Sequence, residues 1–407
     1  MAVNFTPDQQ RAIDLHHCNI LVSAAAGSGK TAVLSERIAR MVCDKEHPVD
    51  IDRLLVVTFT HAAAAEMRER ISRRIADRLK EDGENEHLQK QAALLHNAQI
   101  TTIDSFCQFI LKNNFQDIGL DPVFRVADEG EVKFIKQEIL EELLEERFAE
   151  GRETFLNCVE FFCPNGREEQ LEQHILKLHQ YSLSFPFPKD WLKERKTDYA
   201  FQNARELNQT PWMVFLSNHI QKSILALSEE LTRARKLCEE SDGPYMYGPM
   251  IEKDEETVLA LTKIGDMNLL REKLQTITFD MLSRKKDDTV SDEKREQVKE
   301  IRNQAKKFIE KLNKELFSVS VSTTLAEAKV CNEVIGELVD ICLEFTDRLD
   351  AKKREKKIVD FSDMEHLALQ ILVEKDEKGN VVPTKTALEY QDYCEEVLFD
   401  EYQDSND

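Results

Sequence analysis

Residues 19–42 read NILVSAAAGSGKTAVLSERIARMV, and no other stretch restricts the fold as strongly. A short β-branched apolar run, NILVSA (19–24), leads into small residues and then an amphipathic pattern, TAVLSERIARMV. This order predicts a strand, a tight loop and a helix. Gly27 and Gly29 let the backbone curl so that its N–H groups face an anion, and the helix N-terminus adds a favourable dipole. The residues Ala24, Ala25, Ala26, Gly27, Ser28, Gly29, Lys30 and Thr31 are therefore candidates to cradle the phosphates of ATP. Lys30 would neutralise the β- and γ-phosphates, and the Thr31 hydroxyl would coordinate Mg²⁺. Ala24 stands where such loops usually begin with Gly. A flexible strand-to-helix turn is the competing reading, but Gly-Ser-Gly-Lys-Thr serves no evident packing purpose.

A loop of this kind needs a carboxylate partner, and the sequence ends on one, in VLFDEYQDSND. An apolar strand running into adjacent acids would set Asp400 beside the metal and Glu401 where a water could be polarised toward the γ-phosphate. The plain alternative is a solvated acidic end. The loop at 24–31 favours the first reading.

Two more apolar runs, LLVVTF (54–59) and QITTI (99–103), precede helical patterns, as in a parallel α/β sheet. From about Gln116 the pattern turns helical. In EVKFIKQEILEELLEERF (131–148), Val132, Ile135, Ile139, Leu140, Leu143 and Leu144 recur at helical spacing. Similar stretches cover 213–240, 293–316 and 325–350, and strand character returns only at EEVLFD (395–400). The expected fold class is α/β, with residues 1–115 plus 386–407 forming a sheet domain. A large all-helical insertion would occupy 116–385.

Composition narrows the partners less. The chain of 407 residues has a formal net charge of −22, unlike a nucleic-acid coat protein. Residues 1–80, however, hold 12 Lys/Arg against 10 Asp/Glu, so a local basic groove stays possible. No apolar run reaches the roughly 18–20 residues of a membrane span. The start, MAVNFTPDQQ, lacks the basic and apolar regions of a secretory signal. Nine scattered cysteines without a CxxC pair suggest reduced thiols and a cytoplasmic location.

Other candidates carry two readings each. In FTPDQQRAI (5–13), Thr6, Pro7 and Gln9 fit an N-cap, N1 and N3, which local chemistry favours, while the Gln9 amide could instead read adenine. Both uses need the same amide. Phe59 and Thr60 at the end of LLVVTF, and Ser105 and Phe106 in TTIDSFC (101–107), could meet single-stranded DNA by stacking and phosphate contact. Core burial is the alternative for each Phe. Arg68, Arg70, Arg73 and Arg74 follow the first pair. In AKKREKKIVDFSDME (351–365) the basic run suggests a solvated helix face. Asp360 and Asp363 are spaced (i, i+3) without further ligands around them, so a second metal is not expected.

Taken in order, FTPDQQ, AAAGSGKT, VTFTHAAAAEMRERI, TTIDSFC and VLFDEYQDSN resemble superfamily 1 helicases of the UvrD type. The phrases IGLDPVFRVADEGE (118–131), DGPYMY (242–247) and REKKIVDFSDMEHLAL (354–369) are similar to the AddA family of helicase–nuclease subunits. The resemblance implies a RecA-like parallel sheet, incomplete here, and a chain that is the N-terminal part of a longer protein. It implies ATP-driven 3′→5′ translocation and unwinding at double-strand ends in recombinational repair. It also implies contact with single- and double-stranded DNA, AddB as partner, and a nuclease domain outside this sequence. By residue, it makes Gln9 the adenine contact, Lys30 and Thr31 the phosphate and Mg²⁺ groups, Asp400 the metal ligand and Glu401 the catalytic acid. Gln403 would couple nucleotide state to DNA grip. Phe59, Thr60, His61, Ser105 and Phe106 would line the single-strand track. His61 stands where Asn is common, and Asp104 where many relatives have His. An ABC- or SMC-type ATPase would instead show an LSGG-like signature before the last strand, and none is present. A nucleotide- and DNA-binding scaffold without turnover is the non-enzymatic alternative for this portion.

Overall fold

The computed structural model describes residues 5–25, 27–81, 84–164 and 166–403. Its described strands are short: β1 (Leu54–Thr58), β2 (Gln99–Thr102), β3 (Arg125–Val126), β4 (Ile358–Val359), β5 (Val373–Lys375), β6 (Val381–Pro383) and β7 (Glu396–Phe399). With 67% of the chain helical, the strands serve mainly to fix where helices begin. The described helices of the first 150 residues are α1 (Pro7–Asp14), α2 (Lys30–Val42), α3 (His61–Glu81), α4 (Glu86–Leu94), α5 (Ile103–Asn114) and α6 (Glu129–Glu150).

The main sheet is parallel in the order β2-β1-β7. Leu55 faces Gln99 on one side and Val397 on the other, and Val57 faces Thr101 and Phe399. All five β1 residues are buried, as expected for a central strand covered on both faces. Ile38, Val42, Ile51, Val56, Met67, Ile71 and Ile100 form the core around it. β7 differs: Leu398 is buried, whereas Val397 is 55% and Phe399 43% exposed.

The apolar run at 19–24 does not become a strand. No ladder partner is described for it, and Leu21 is 83% exposed. Its composition suits a buried strand, but a strand exists only through a neighbour's hydrogen bonds, and neither edge strand of the sheet, β2 or β7, pairs with it. Strand structure also appears earlier than the final run, in the parallel pair β3-β4 and the antiparallel hairpin β5-β6.

The chain forms two compact units. One comprises 1–146, 177–188 and 344–407, the other 147–176 and 189–343. These limits differ from the motif-based ones at 115/116 and 385/386. In the first unit, α5 packs on the helix Phe361–Leu372 through Cys107, Ile110, Leu111, Met364, Ala368 and Ile371. The six apolar positions read from α6 are all buried. Lys353, within the basic run, is buried too, pairing with Asp360 at 2.7 Å and Asp363 at 2.9 Å. Those aspartates form the capping box of Phe361–Leu372, which accounts for their spacing.

In the second unit, the long helix Pro211–Glu239 starts at an N-cap Thr210 with Pro at N1. It shares a core with Gly248–Leu261 and Asp292–Lys311, in which Leu231, Ile251, Leu270 and Val298 are fully buried. Arg302 and Asp254 are buried there as a pair 2.5 Å apart.

Candidate functional site

α2 begins at Lys30, immediately after two glycines in left-handed conformations, Gly27 at φ 76° and Gly29 at φ 85°. A Cβ at Gly27 would meet open space, so the requirement there is conformational and not steric. The result is a turn, closed by Ser28 N–H to the Ala25 carbonyl at 3.2 Å, that exposes its backbone to solvent. Lys30 Nζ donates to the Ala24 carbonyl at 3.4 Å, folding back over the loop. Ala26 lies outside the described residues.

The carboxylate comes from the other end of the chain. Asp400 N–H donates to the Val57 carbonyl at 2.9 Å, which extends the β1–β7 ladder and fixes the turn after β7. From there Asp400 Oδ2 accepts a hydrogen bond from Thr31 Oγ1 at 3.2 Å, across 369 positions of sequence. Burial pushes the Asp400 carboxyl above its usual range; Thr31 opposes this and the Glu401 charge adds to it. A hydroxyl and a carboxylate oxygen converging beside a lysine form a hard-oxygen donor set of the sort Mg²⁺ prefers. Glu401 has φ 56°, an uncommon conformation for a side chain of its size, and Gln403 Nε2 donates to its carboxylate.

Gln9 makes the capping box that its position suggests. Its Oε1 accepts from Thr6 N–H at 2.8 Å, and its N–H donates to Thr6 Oγ1 at 3.3 Å, completing a capping box. Its Nε2 also donates to the Ser28 carbonyl at 2.9 Å, within the glycine loop. A primary amide carries two N–H donors and two oxygen lone pairs. One of each remains for a base.

Residues 5–407 match the family model of the UvrD/REP helicase N-terminal domain. The chain belongs to the UvrD/REP helicase family. It is 43% identical to AddA, the ATP-dependent helicase/nuclease subunit of Lachnoclostridium phytofermentans, over 99% of this chain and 30% of that protein. The AddA of Clostridium perfringens strain SM101 is 43% identical over 100% of this chain and 32% of its own length. That of Clostridioides difficile is 37% identical over 99% and 32%. The chain thus spans about a third of the length of these relatives.

In this helicase domain the two strand ends at β1 and β2 carry the remaining candidates. After β1, Phe59 is 62% exposed, and Thr60 Oγ1 accepts from Ala63 N–H at 3.1 Å, capping α3. His61, the first residue of α3, is exposed. After β2, Thr102 caps α5, its Oγ1 accepting from Ser105 N–H at 3.3 Å and donating to the Ser105 hydroxyl at 3.0 Å. Phe106 is half-buried, stacked on Phe109 at 6.4 Å and packed against the α5 core. The arginines of α3 have partners within the protein, most of them at its surface: Arg68 donates to the Ala98 and Ile100 carbonyls, Arg70 pairs with Glu66, Arg73 with Glu69, Arg74 with Glu36 and Arg78 with Glu81.

Sequence reasoning passed over Arg37 and Arg53. Arg37 bridges α1 and β7, and Arg53 donates to the Tyr393 and Asp392 carbonyls just before β7. A signal for Arg37 exists: Val33, Arg37 and Met41 share one helical stripe, and all three are buried.

Proposed function

We propose that this chain is the nucleotide-binding part of an ATP-dependent DNA helicase/nuclease subunit that acts at double-strand breaks in recombinational repair. The observation that carries the reading is the Thr31–Asp400 hydrogen bond, which joins the glycine loop to the acidic strand end. Residues 1–115 plus 386–407 would be the first RecA-like motor domain, and 116–385 its helical insertion. The relatives' names, which describe an ATP-dependent helicase/nuclease, support the assignment.

Each residue then has a task. The backbone of Gly27, Ser28 and Gly29 receives phosphate oxygens, with Lys30 leaving its carbonyl partner to neutralise them. Thr31 and Asp400 hold Mg²⁺, which when bound with ATP neutralises charge on the β- and γ-phosphates. Gln9 uses its spare donor and lone pair on adenine. Glu401 accepts a proton from the attacking water, and Gln403, bound to Glu401, passes the state of that carboxylate toward the DNA side. Phe59 stacks a base of single-stranded DNA, while Thr60, His61, Ser105 and Phe106 border the track. Duplex DNA and the AddB partner complete the proposed assembly in the cytoplasm.

Equilibrium binding of Mg-ATP to the chain tests this directly. Lys30→Ala, which removes a charge-assisted contact, should weaken binding about 10- to 100-fold. Unchanged affinity would sink the phosphate-loop assignment.

A further inference from the structure

We infer that Arg37 is a positioning residue of the nucleotide site, locking the helix that carries Gln9 and the strand that carries Asp400 into one frame. The inference rests on the nucleotide-site reading above and concerns what keeps that site assembled. Arg37 lies seven residues after Lys30 on α2, roughly 10 Å along the helix axis. Its side chain is only 7% exposed. The guanidinium grips two elements at once. Nε and Nη2 donate to the two carboxylate oxygens of Glu396 at 3.2 and 2.7 Å, at the first residue of β7. Nη1 donates to the carbonyls of Ala12 at 3.0 Å and Ile13 at 3.2 Å, and to that of Leu15, all at the C-terminal end of α1.

These contacts mirror the site itself. The near end of α1 meets the glycine loop through Gln9 and Ser28, and the near end of β7 meets α2 through Asp400 and Thr31. Arg37 fastens the far ends of the same two elements. Each is therefore held at two points, and neither can tilt without breaking a contact. Helix C-terminal carbonyls lack intrahelical partners and carry partial negative charge, so a cation there is favourable on both counts. Only a planar fork can take a carboxylate edge-on and still present N–H groups to a second element; a lysine can serve one of them. Arg40, one turn on, adds a second tie to α1 through Asp14 at 2.8 Å.

The two grips make separable predictions. Binding of ATP and GTP is measured for the chain with and without Mg²⁺, for wild type, Gln9→Ala, Arg37→Lys and Glu396→Gln. Arg37→Lys should lower ATP affinity about 10-fold, the size seen when groups supporting a site's contact residues are lost, and move the ATP:GTP ratio toward that of Gln9→Ala. Glu396→Gln should reduce the gain in affinity from Mg²⁺ and leave the ATP:GTP ratio as in wild type. Arg37→Lys with an unchanged ratio and an unchanged Mg²⁺ gain overturns the inference. If Arg37→Lys does not fold, Glu396→Gln decides alone, and equal loss with and without Mg²⁺ overturns it. A Gln9→Ala protein that keeps the wild-type ratio sinks the adenine reading instead, and leaves Arg37 tested by the Mg²⁺ gain.

Discussion

The ends of β1 and β2 look alike in sequence, each a β-branched strand running into a threonine, a phenylalanine and a helix, yet they do different work. At the first, two residues separate Thr58 from the start of α3, so Phe59 sits outside the helix and 62% exposed. At the second, α5 starts directly at Ile103, which places Phe106 in its first turn, where an (i, i+3) neighbour, Phe109, receives it. Phe109 in turn meets Tyr390 edge-on at 6.4 Å. Where the ring falls, one residue past Thr58 and ahead of α3 or four past Thr102 and inside α5, decides whether it is offered to solvent or spent on the core.

The sharpest way to break this contrast is Phe106→Ala. Losing a half-buried ring from the cluster of Cys107, Ile110 and Met364 should cost about 2–3 kcal/mol of stability, read from urea unfolding. A loss too small to measure would put Phe106 back on the same footing as Phe59. Next in size, Phe59→Ala should leave stability within about 0.5 kcal/mol. It should weaken single-stranded DNA binding by roughly 1–3 kcal/mol, with ATP affinity unchanged. Equal loss of DNA and ATP binding would mean that the ring supports the fold after all.

The same contrast shows what sequence could and could not convey. The glycine loop, the helix after it and the acidic strand end were readable because their chemistry leaves few alternatives: two left-handed positions need glycine, and Asp400 needs a partner such as Thr31. The long helices of the second unit were readable from periodicity, although the stretch read as 213–240 starts earlier, at Pro211 behind its Thr210 cap. The run at 19–24 misled because composition reports burial preference, while strand formation depends on a neighbour that local sequence cannot name. Lys353 misled in the opposite sense, since a charge run says nothing of a pair of aspartates folding back to meet one of its members. The stripe of Val33, Arg37 and Met41 marks Arg37 as buried, but its partners required knowing that α1 and β7 converge, which is a property of the tertiary fold.

The smallest expected effect concerns Asp104, which sits at the second strand end and has no acidic counterpart at the first. Burial raises its carboxyl above the ordinary range, and His61 opposes the shift. Glu365 is raised by burial as well, with the Asp104 charge adding to it. A carboxyl raised in the fold binds its proton more tightly in the native than in the unfolded chain. Between the ordinary aspartate value, about 3.9, and the raised one, the native state holds more protons, so stability falls as pH increases through that window. Above it, the ionised group is a standing cost. Asp104→Asn removes that cost: relative to wild type it should gain stability as pH rises from about 4, and part of the gain should come from relief at Glu365. The check is the urea midpoint of both proteins measured across that range. A difference that stays flat with pH would mean that the fold does not perturb the Asp104 carboxyl, and that the two strand ends differ only in their aromatic rings.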